Sequence, residues 1–186
     1  MIKITELELE DVMIHQQAAE LLYTGFAEIA PLSWPHMHAA LAEVHDSFGP
    51  GRISLVALDR QKAIGWVGAI RQYEGHTWEL HPLVVHKHHR LQGVGRALVE
   101  AVQQKVIEHG GLTLWVAADD EIGATSLWGQ DLYPHPLRHL NDIVNLNGHP
   151  FEFYQRLGFA LVGVLPDANG LGKPDIFLAK RVREIK

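Results

Sequence analysis

The sequence predicts an α/β fold with a mixed β-sheet, and three patterns lead to that prediction. Residues 2–9 alternate between apolar and polar side chains, as a half-exposed strand does, and residues 52–72 have the pattern of a hairpin. Residues 94–106 place apolar side chains at three- and four-residue spacing, which is typical of one helix face. Leu112–Ala118 is a nearly continuous apolar run, as expected for a strand buried on both faces of a sheet.

The first half of the chain predicts a strand, two helices and a hairpin. They are a strand at Ile2–Leu9, a helix from its cap Asp11 to about Ile29, a second helix that follows Trp34-Pro35 and closes near Phe48 at Gly49-Pro50-Gly51, and a hairpin whose strands Arg52–Leu58 and Ala63–Gln72 are joined by Asp59–Lys62.

The second half begins with a strand at Trp78–Val85, a glycine turn and the helix of residues 94–106, which Gly110-Gly111 ends. With the strand at Leu112–Ala118, this succession implies a right-handed parallel crossover. A long insert at 121–148 follows. The remaining predicted elements are a helix at Pro136–Val144 inside the insert, a short helix between Pro150 and Gly158, and strands at Phe159–Leu165 and Ile176–Lys180.

Composition limits the class of protein. At 186 residues the chain is long enough for one domain that buries roughly 70% of its unfolded surface. The absence of cysteine excludes disulfides and cysteine-ligated zinc. The N-terminus lacks the apolar core of a signal peptide, and the longest uncharged apolar run, Ala63–Ile70, is too short to span a bilayer. We therefore expect a single cytoplasmic domain of residues 1–186 with no membrane partner.

The net charge of −6 argues against a nucleic-acid partner, because an acidic surface repels phosphates. It fits a cationic substrate better, although many soluble proteins are mildly acidic.

The glycine turn has the sequence "RLQGVG" (residues 90–95) and lies directly between a predicted strand and a predicted helix. Gly93 and Gly95 let the backbone approach a ligand, and the free N–H groups of the first helical turn point outward. Arg90 and Arg96 add charge-assisted contacts. This combination predicts a diphosphate site, whereas a plain tight turn is the alternative for an isolated G-x-G. The spacing of a P-loop is absent, and a dinucleotide fold would carry its glycines near the first strand.

The order R-x-x-G-x-G resembles the pyrophosphate loop of the GCN5-related N-acetyltransferase (GNAT) superfamily, and "FYQRLGF" (153–159) resembles its second signature. Five longer stretches, within about Gly65–Lys180, resemble one branch, the aminoglycoside 6′-N-acetyltransferases: "WELHPLVV", "GGLTLWVAADD", "DLYPHPL", "HPFEFYQRLGF" and "LVGVLPDANGLGKPDIFLAK". The resemblance implies the GNAT fold. This is a mixed, mostly antiparallel central sheet flanked by helices, with a parallel strand–helix–strand core that binds acetyl-coenzyme A and a splayed strand pair. The implied cofactor-binding residues are Leu83, Val84, Val85, Arg90, Leu91, Gln92, Gly93, Val94, Gly95, Arg96 and Tyr154.

The strand before the glycine turn carries candidate catalytic residues. Because side chains alternate, we expect Glu79, His81 and Leu83 to share one face. Pro82 has no N–H for a ladder and marks an edge or a bulge, which would leave nearby amides free. The resemblance places the amides of Leu83 and the two residues after it at the acetyl carbonyl. There they would form an oxyanion hole for the tetrahedral intermediate.

Attack on a thioester requires a neutral amine. The branch carries Glu and His at positions 79 and 81, so we interpret Glu79 as base or ammonium anchor and His81 as its positioning partner, acting directly or through water. The resemblance makes Tyr154 the proton donor to the leaving thiolate. The alternatives are an ordinary exposed strand face for Glu79 and His81, and a half-buried packing role for the tyrosine.

Further polar and aromatic residues are candidates for substrate binding. Asp119 and Asp120 follow the buried strand at its carboxyl end, where ligands of open α/β sheets gather, and would bind ammonium groups. A solvated loop that caps the strand is the alternative. Trp34 and Tyr73 would supply apolar walls for sugar rings unless they belong to the core.

Histidines are numerous, but their spacing does not predict a metal site. His86 and His88 would share a strand face, yet the sequence places no third ligand beside them and His89. His135 and His139 have helical i,i+4 spacing, which is common by chance. We therefore expect a cationic surface at the first group and no bound metal.

Together these features predict an enzyme that transfers acetyl from acetyl-coenzyme A to the 6′-amine of aminoglycosides by direct attack in a ternary complex. The lack of cysteine agrees with the absence of a covalent enzyme intermediate. Antibiotic resistance would be the consequence, and relatives in this branch suggest a homodimer. Two alternatives remain open: a GNAT enzyme for a polyamine, peptide or other small amine, and a non-catalytic acyl-coenzyme A sensor.

Overall fold

The structure is a computed structural model that describes residues 2–183. These residues fall into two compact units, one of residues 2–114 with 182–183 and the other of Trp115–Arg181. The elements in chain order are β1 (Ile2–Glu6), α1 (Val12–Phe26), α2 (Met37–Asp46), β2 (Arg52–Asp59), β3 (Lys62–Gln72), β4 (Thr77–Val85), α3 (Val94–Glu108), β5 (Thr113–Asp119), α4 (Pro136–Asn141), α5 (Phe151–Arg156), β6 (Ala160–Leu165) and β7 (Asp175–Arg181).

Strands β1 to β4 of the first unit pair in chain order, and each pair is antiparallel. One row of cross-strand partners runs through all four strands: Thr5, Val56, Trp66 and Val84. Partners in such a row share a face of the sheet. The last three of these residues are buried in one apolar cluster with side chains of α1 and α2, so those two helices cover this face.

Helix α3 covers the opposite face of the same sheet. A Cβ placed on Gly65 would lie 3.0 Å from Leu98 Cδ1 and 3.2 Å from Val94 Cγ1, so the helix approaches β3 closely at this glycine. The apolar stripe that the sequence predicts is buried there, with Leu98 and Val102 fully shielded from solvent. This packing fixes the helix, and therefore its N-terminus, relative to β3.

In the second unit, β7 lies between β5 and β6 and pairs antiparallel with β6. Ile176 and Leu178 of β7 are fully buried, and α5 packs against this strand. The insert between β5 and α5 contains α4 and is closed by a bridge between Thr125 and Asn145.

Each strand and helix predicted from the sequence is present, and the differences lie at their ends. Helix α1 stops at Phe26 and α4 stops at Asn141, earlier than predicted. After α4 the hydrogen bonds shorten to three-residue steps, from Asp142 N–H to His139 O (3.2 Å) and from Ile143 N–H to Leu140 O (3.3 Å). That pattern ends an α-helix. None of the helices described is long and apolar enough to cross a membrane.

Candidate active site

Strand β4 contains a β-bulge at His81-Pro82. Ala69 of β3 pairs with Leu80 and Val67 pairs with Leu83, so two residues of β4 lie opposite Gly68 alone. A Cβ on Gly68 would lie 2.4 Å from the His81 carbonyl oxygen, which only a glycine avoids. The prediction that the proline marks an edge or a bulge is confirmed, and the feature is a bulge.

The bulge reverses the alternation of side chains along β4. Glu79 pairs with Ile70 and shares its face, which is the face of Trp66 and of helices α1 and α2. Leu83 pairs with Val67 on the other face, where α3 packs. The prediction that Glu79 and Leu83 share a face is therefore wrong, because the extra residue shifts the register by one.

Glu79 is a half-buried carboxyl group on the α1/α2 face. The Gln72 side-chain amide donates a hydrogen bond to it, and Arg52 lies in the same cross-strand row, with Ile70 between them. Burial raises the pKa of Glu79 above its ordinary value, while the nearby positive charges of His81 and Arg52 oppose the rise only in part. A carboxylate with a raised pKa is better suited to take a proton from an ammonium group near neutral pH.

His81 contacts a carboxylate that sequence reasoning missed. Its Nε2 lies 3.7 Å from Oε1 of Glu43 in α2. The other oxygen, Oε2, accepts a hydrogen bond from Trp34 Nε1 at 3.3 Å. The ring centroids of Trp34 and His81 lie 6.0 Å apart, so the structure brings these two predicted site residues together. No sequence signal identifies Glu43, since helix periodicity does not reveal which strand a side chain meets.

Within the described residues, Tyr73 makes no direct contact with Trp34, Glu43 or His81. It lies in a short 3-10 turn (Tyr73–Gly75) between β3 and β4, and its side chain is 75% exposed. Its role as a wall for a sugar ring stays a prediction.

The glycine turn leads into α3 through a left-handed residue. Gly93 is the N-cap with φ of 85°, and the space beside its Cα is open, with no atom within 4 Å of a Cβ placed there. The first backbone bond of the helix joins Ala97 N–H to Gly93 O at 3.0 Å. The amides of Val94, Gly95 and Arg96 therefore have no partner within the helix and point out of its positive end. No acidic side chain lies in this first turn, so the turn fits a diphosphate.

Two hydrogen bonds from side chains to the backbone stabilise the segment that precedes α3. Arg90 Nε donates to Val85 O at 3.1 Å, and Gln92 Nε2 donates to His88 O at 2.8 Å. Between them Leu91 has a positive φ of 61° and a fully exposed side chain. The residues predicted for cofactor binding at 90–96 thus comprise the end of the loop after β4 and the first turn of α3.

The imidazole rings of His86, His88 and His89, just before the glycine turn, lie close together. The ring of His86 lies 5.4 Å from that of His88 and 5.4 Å from that of His89, between centroids. Burial and the neighbouring cationic groups lower the pKa of His86. Within residues 2–183, no group of three or more potential ligands is arranged to hold a metal ion.

The two aspartates after β5 differ in their environment. Asp120 is buried, and its oxygens accept hydrogen bonds from Ala124 N–H (2.7 Å), Thr125 N–H (2.8 Å) and the Thr125 hydroxyl (2.7 Å). Asp119 is exposed and accepts one from Asn169 Nδ2 at 2.6 Å. Asp120 stabilises the turn that begins the insert, which leaves Asp119 as the carboxylate available at the surface.

Tyr154 lies on α5, buried between two aromatic rings. The ring centroids of Phe153 and Phe159 lie 5.0 and 5.5 Å from its own. Burial raises the pKa of Tyr154 well above its ordinary value, so its hydroxyl keeps its proton at neutral pH. A raised pKa makes the phenol a weaker acid, so the role of Tyr154 as proton donor to the leaving thiolate stays a prediction.

His149 connects the start of α5 to the end of β5. It begins the stretch "HPFEFYQRLGF", but the sequence indicated no role for it. Its Nε2 donates to Asp119 O at 3.2 Å, and its Nδ1 accepts from Phe151 N–H at 3.2 Å. Burial lowers the pKa of His149, which agrees with a neutral ring that donates at one nitrogen and accepts at the other.

Comparisons with known proteins give matches over nearly the whole chain. An aminoglycoside 6′-N-acetyltransferase solved in complex with coenzyme A shares 37% sequence identity, with a TM-score of 0.89 and 99% of each chain covered. An aminoglycoside 6′-N-acetyltransferase from Enterococcus faecium shares 37% identity, with a TM-score of 0.87 and the same coverage. Aminoglycoside 6′-acetyltransferase type Ii shares 32%, with a TM-score of 0.74 and 99% of each chain covered.

The model of the acetyltransferase (GNAT) family matches residues 13–132, which include residues of both compact units. A comparison with curated proteins gives no match.

Proposed function

The chain belongs to the acetyltransferase (GNAT) family, and on that basis we propose that it acetylates the 6′-amine of aminoglycosides. The predicted GNAT fold and the predicted acetyl-coenzyme A-dependent acetyltransferase activity are confirmed by this membership and by the coenzyme A complex of a similar protein. The observation that carries the proposed substrate is the 37% identity, over 99% of both chains, to two aminoglycoside 6′-N-acetyltransferases.

On the acceptor side, Glu79 and His81 would receive the reactive amine. The half-buried Glu79 carboxylate attracts an ammonium group, and its raised pKa favours removal of the proton, directly or through a water molecule. The indole of Trp34 beside His81 offers an apolar wall for a sugar ring. Asp119 would bind an ammonium group at the end of β5, and Asp120 supports the turn next to it.

On the donor side, the segment 90–96 would hold the diphosphate of acetyl-coenzyme A, which supplies an acetyl thioester to the reaction. The free amides at the start of α3 provide its hydrogen-bond donors, and Arg90 and Arg96 add positive charge. The backbone of Leu83, Val84 and Val85, just after the bulge, would bind the acetyl carbonyl and stabilise the oxyanion. Because Leu83 turns its side chain towards α3, its contribution to the acceptor side comes from its backbone.

Several wider features belong to the same proposal. Residues 1–186 would act as one acetyltransferase domain, and the protein would work as a homodimer. Acetylation neutralises one ammonium group of the drug and weakens its electrostatic attraction to RNA, so antibiotic resistance would follow.

Replacing Tyr154 by Phe is expected to lower kcat about 10–100-fold with little change in the KM for acetyl-coenzyme A. The phenol is the proposed proton source for the leaving thiolate, and a general acid contributes about 10²-fold or more, part of which water replaces. Steady-state kinetics of Tyr154→Phe and of Tyr133→Phe, which removes a hydroxyl from an exposed tyrosine, provide the measurement and its control. An unchanged kcat in Tyr154→Phe would limit this tyrosine to packing.

The proposed function is tested by thiol release from acetyl-coenzyme A across a panel of amines. The panel contains a 6′-amino aminoglycoside, a polyamine, a peptide with a free amino terminus and a sample without amine. We expect the highest kcat/KM for the aminoglycoside. A higher value for the polyamine or the peptide would move the function to that substrate class, and binding of coenzyme A without turnover of any amine would indicate a sensor.

A further inference from the structure

We propose that Glu43 is a positioning residue whose carboxylate ties the Trp34 indole to the His81 imidazole and so shapes the acceptor side of the site. The identity of the acceptor rests on the function proposed above, whereas the positioning role concerns this chain's own side chains. Glu43 lies on α2, Trp34 in the loop before that helix, and His81 at the bulge of β4.

The two oxygens of Glu43 meet one ring nitrogen each. Oε2 accepts the Trp34 Nε1–H at 3.3 Å, and Oε1 lies 3.7 Å from His81 Nε2. The side chain of Glu43 is 27% exposed and that of His81 is 43% exposed. The Glu43 carboxylate is therefore mostly shielded from water. A carboxylate removed from water needs such donors, because an unpaired buried charge is costly.

The packing of α2 explains why Glu43 points towards β4. Ala40 and Val44 are fully buried in the cluster under the sheet face, and Glu43 precedes Val44 at the border of that contact. Phe26 of α1 contacts the Trp34 ring edge to face, with ring centroids 4.8 Å apart. The indole is therefore held by an aromatic contact and by the hydrogen bond from its nitrogen to Glu43.

The contact also orients the His81 ring, because it places the Glu43 carboxylate beside Nε2. Glu79 lies on the same strand face and is held by Gln72, so it does not take over this role. In this arrangement Glu79 is the carboxylate offered to the amine, and Glu43 acts through Trp34 and His81.

The test uses Glu43→Ala and Glu43→Gln, with Asp46→Asn as the matched control because it removes the same charge from the exposed side of the same helix. The indole ¹⁵N–¹H resonance of Trp34, assigned by its loss in Trp34→Phe, is recorded without any substrate. We expect an upfield proton shift in Glu43→Ala, a smaller shift in Glu43→Gln, which keeps an acceptor oxygen, and none in Asp46→Asn.

Kinetics supply the second readout. Glu43→Ala is expected to raise the KM for the acceptor about tenfold, the cost of one hydrogen bond to a charged group, with kcat lowered less than about threefold. The double variant Glu43→Ala with Trp34→Phe is expected to have a KM for the acceptor no higher than that of the more damaging single variant. Both substitutions remove the same interaction, the hydrogen bond from Trp34 to Glu43. An unmoved indole resonance in Glu43→Ala, or effects that multiply, would overturn the positioning role. If no aminoglycoside is turned over, the proposed substrate fails, but the resonance still decides the role of Glu43.

Discussion

Replacing Glu79 by Ala is expected to lower kcat about 10²–10³-fold while the affinity for coenzyme A stays within about twofold. The proposed base lies on the α1/α2 face of β4, whereas the diphosphate turn leads into α3 on the opposite face, so the two functions use different sides of the strand. Steady-state kinetics with an aminoglycoside give kcat, and calorimetric titration with coenzyme A gives the affinity. A kcat within threefold of the wild-type value would remove Glu79 from the chemistry.

The isosteric change Glu79→Gln separates chemistry from folding. Burial raises the folded-state pKa of Glu79, so its contribution to stability is fully present below the unfolded value near 4.5 and is lost as the pH rises through the folded pKa. At pH 7 the neutral glutamine avoids this penalty. We therefore expect Glu79→Gln to unfold at a urea concentration no lower than the wild type while it is as inactive as Glu79→Ala. In the wild type, the acidic limb of kcat/KM is expected above pH 4.5 for the same reason.

Replacing Gly68 by Ala is expected to destabilise the protein by about 1–3 kcal/mol and to reduce kcat. The added Cβ would lie 2.4 Å from the His81 carbonyl oxygen, and both atoms belong to paired strands that cannot separate without breaking the bulge. The bulge in turn sets the directions of His81 and of the amides that follow it. Urea unfolding and steady-state kinetics on the same preparation measure both effects.

Gly163→Ala is the control for this change. Gly163 also lies beside a register shift, in β6, but a Cβ there would meet its nearest atom, Phe177 Cδ2, at an ordinary 3.5 Å. We expect its free energy of unfolding to change by less than about 1 kcal/mol, the scale of an ordinary strand substitution. A Gly68→Ala variant as stable and as active as Gly163→Ala would show that the bulge does not depend on this close approach.

The strands, the helices and the irregularity at Pro82 were predicted well from the sequence, for a physical reason. Strands and helices follow from local periodicity, and a proline inside a strand has few positions where its missing N–H is tolerated. The face of Leu83 was missed because one inserted residue reverses all later side chains, and the sequence does not reveal whether a proline produces an edge or a bulge.

The tertiary contacts of several residues could not be predicted from sequence patterns. Glu43 meets His81 only because α2 packs on the sheet face, and His149 joins β5 to α5 through two ring hydrogen bonds. Asp120 carries the same charge as Asp119 in the sequence, but the amides of the following turn draw it inward. The sequence shows which side chains carry charge, whereas the hydrogen-bond donors that each of them meets depend on the fold.

Acetylation of a matched pair of aminoglycosides tests the proposed reaction most directly. One compound carries an amino group at the 6′ position and the other a hydroxyl group there, with the remaining amines unchanged. We expect thiol release and a single added acetyl group at the 6′-nitrogen of the first compound, located by mass spectrometry and NMR, and no turnover of the second. Equal turnover of both compounds, or acetyl found at another nitrogen of the first, would contradict 6′-N-acetylation.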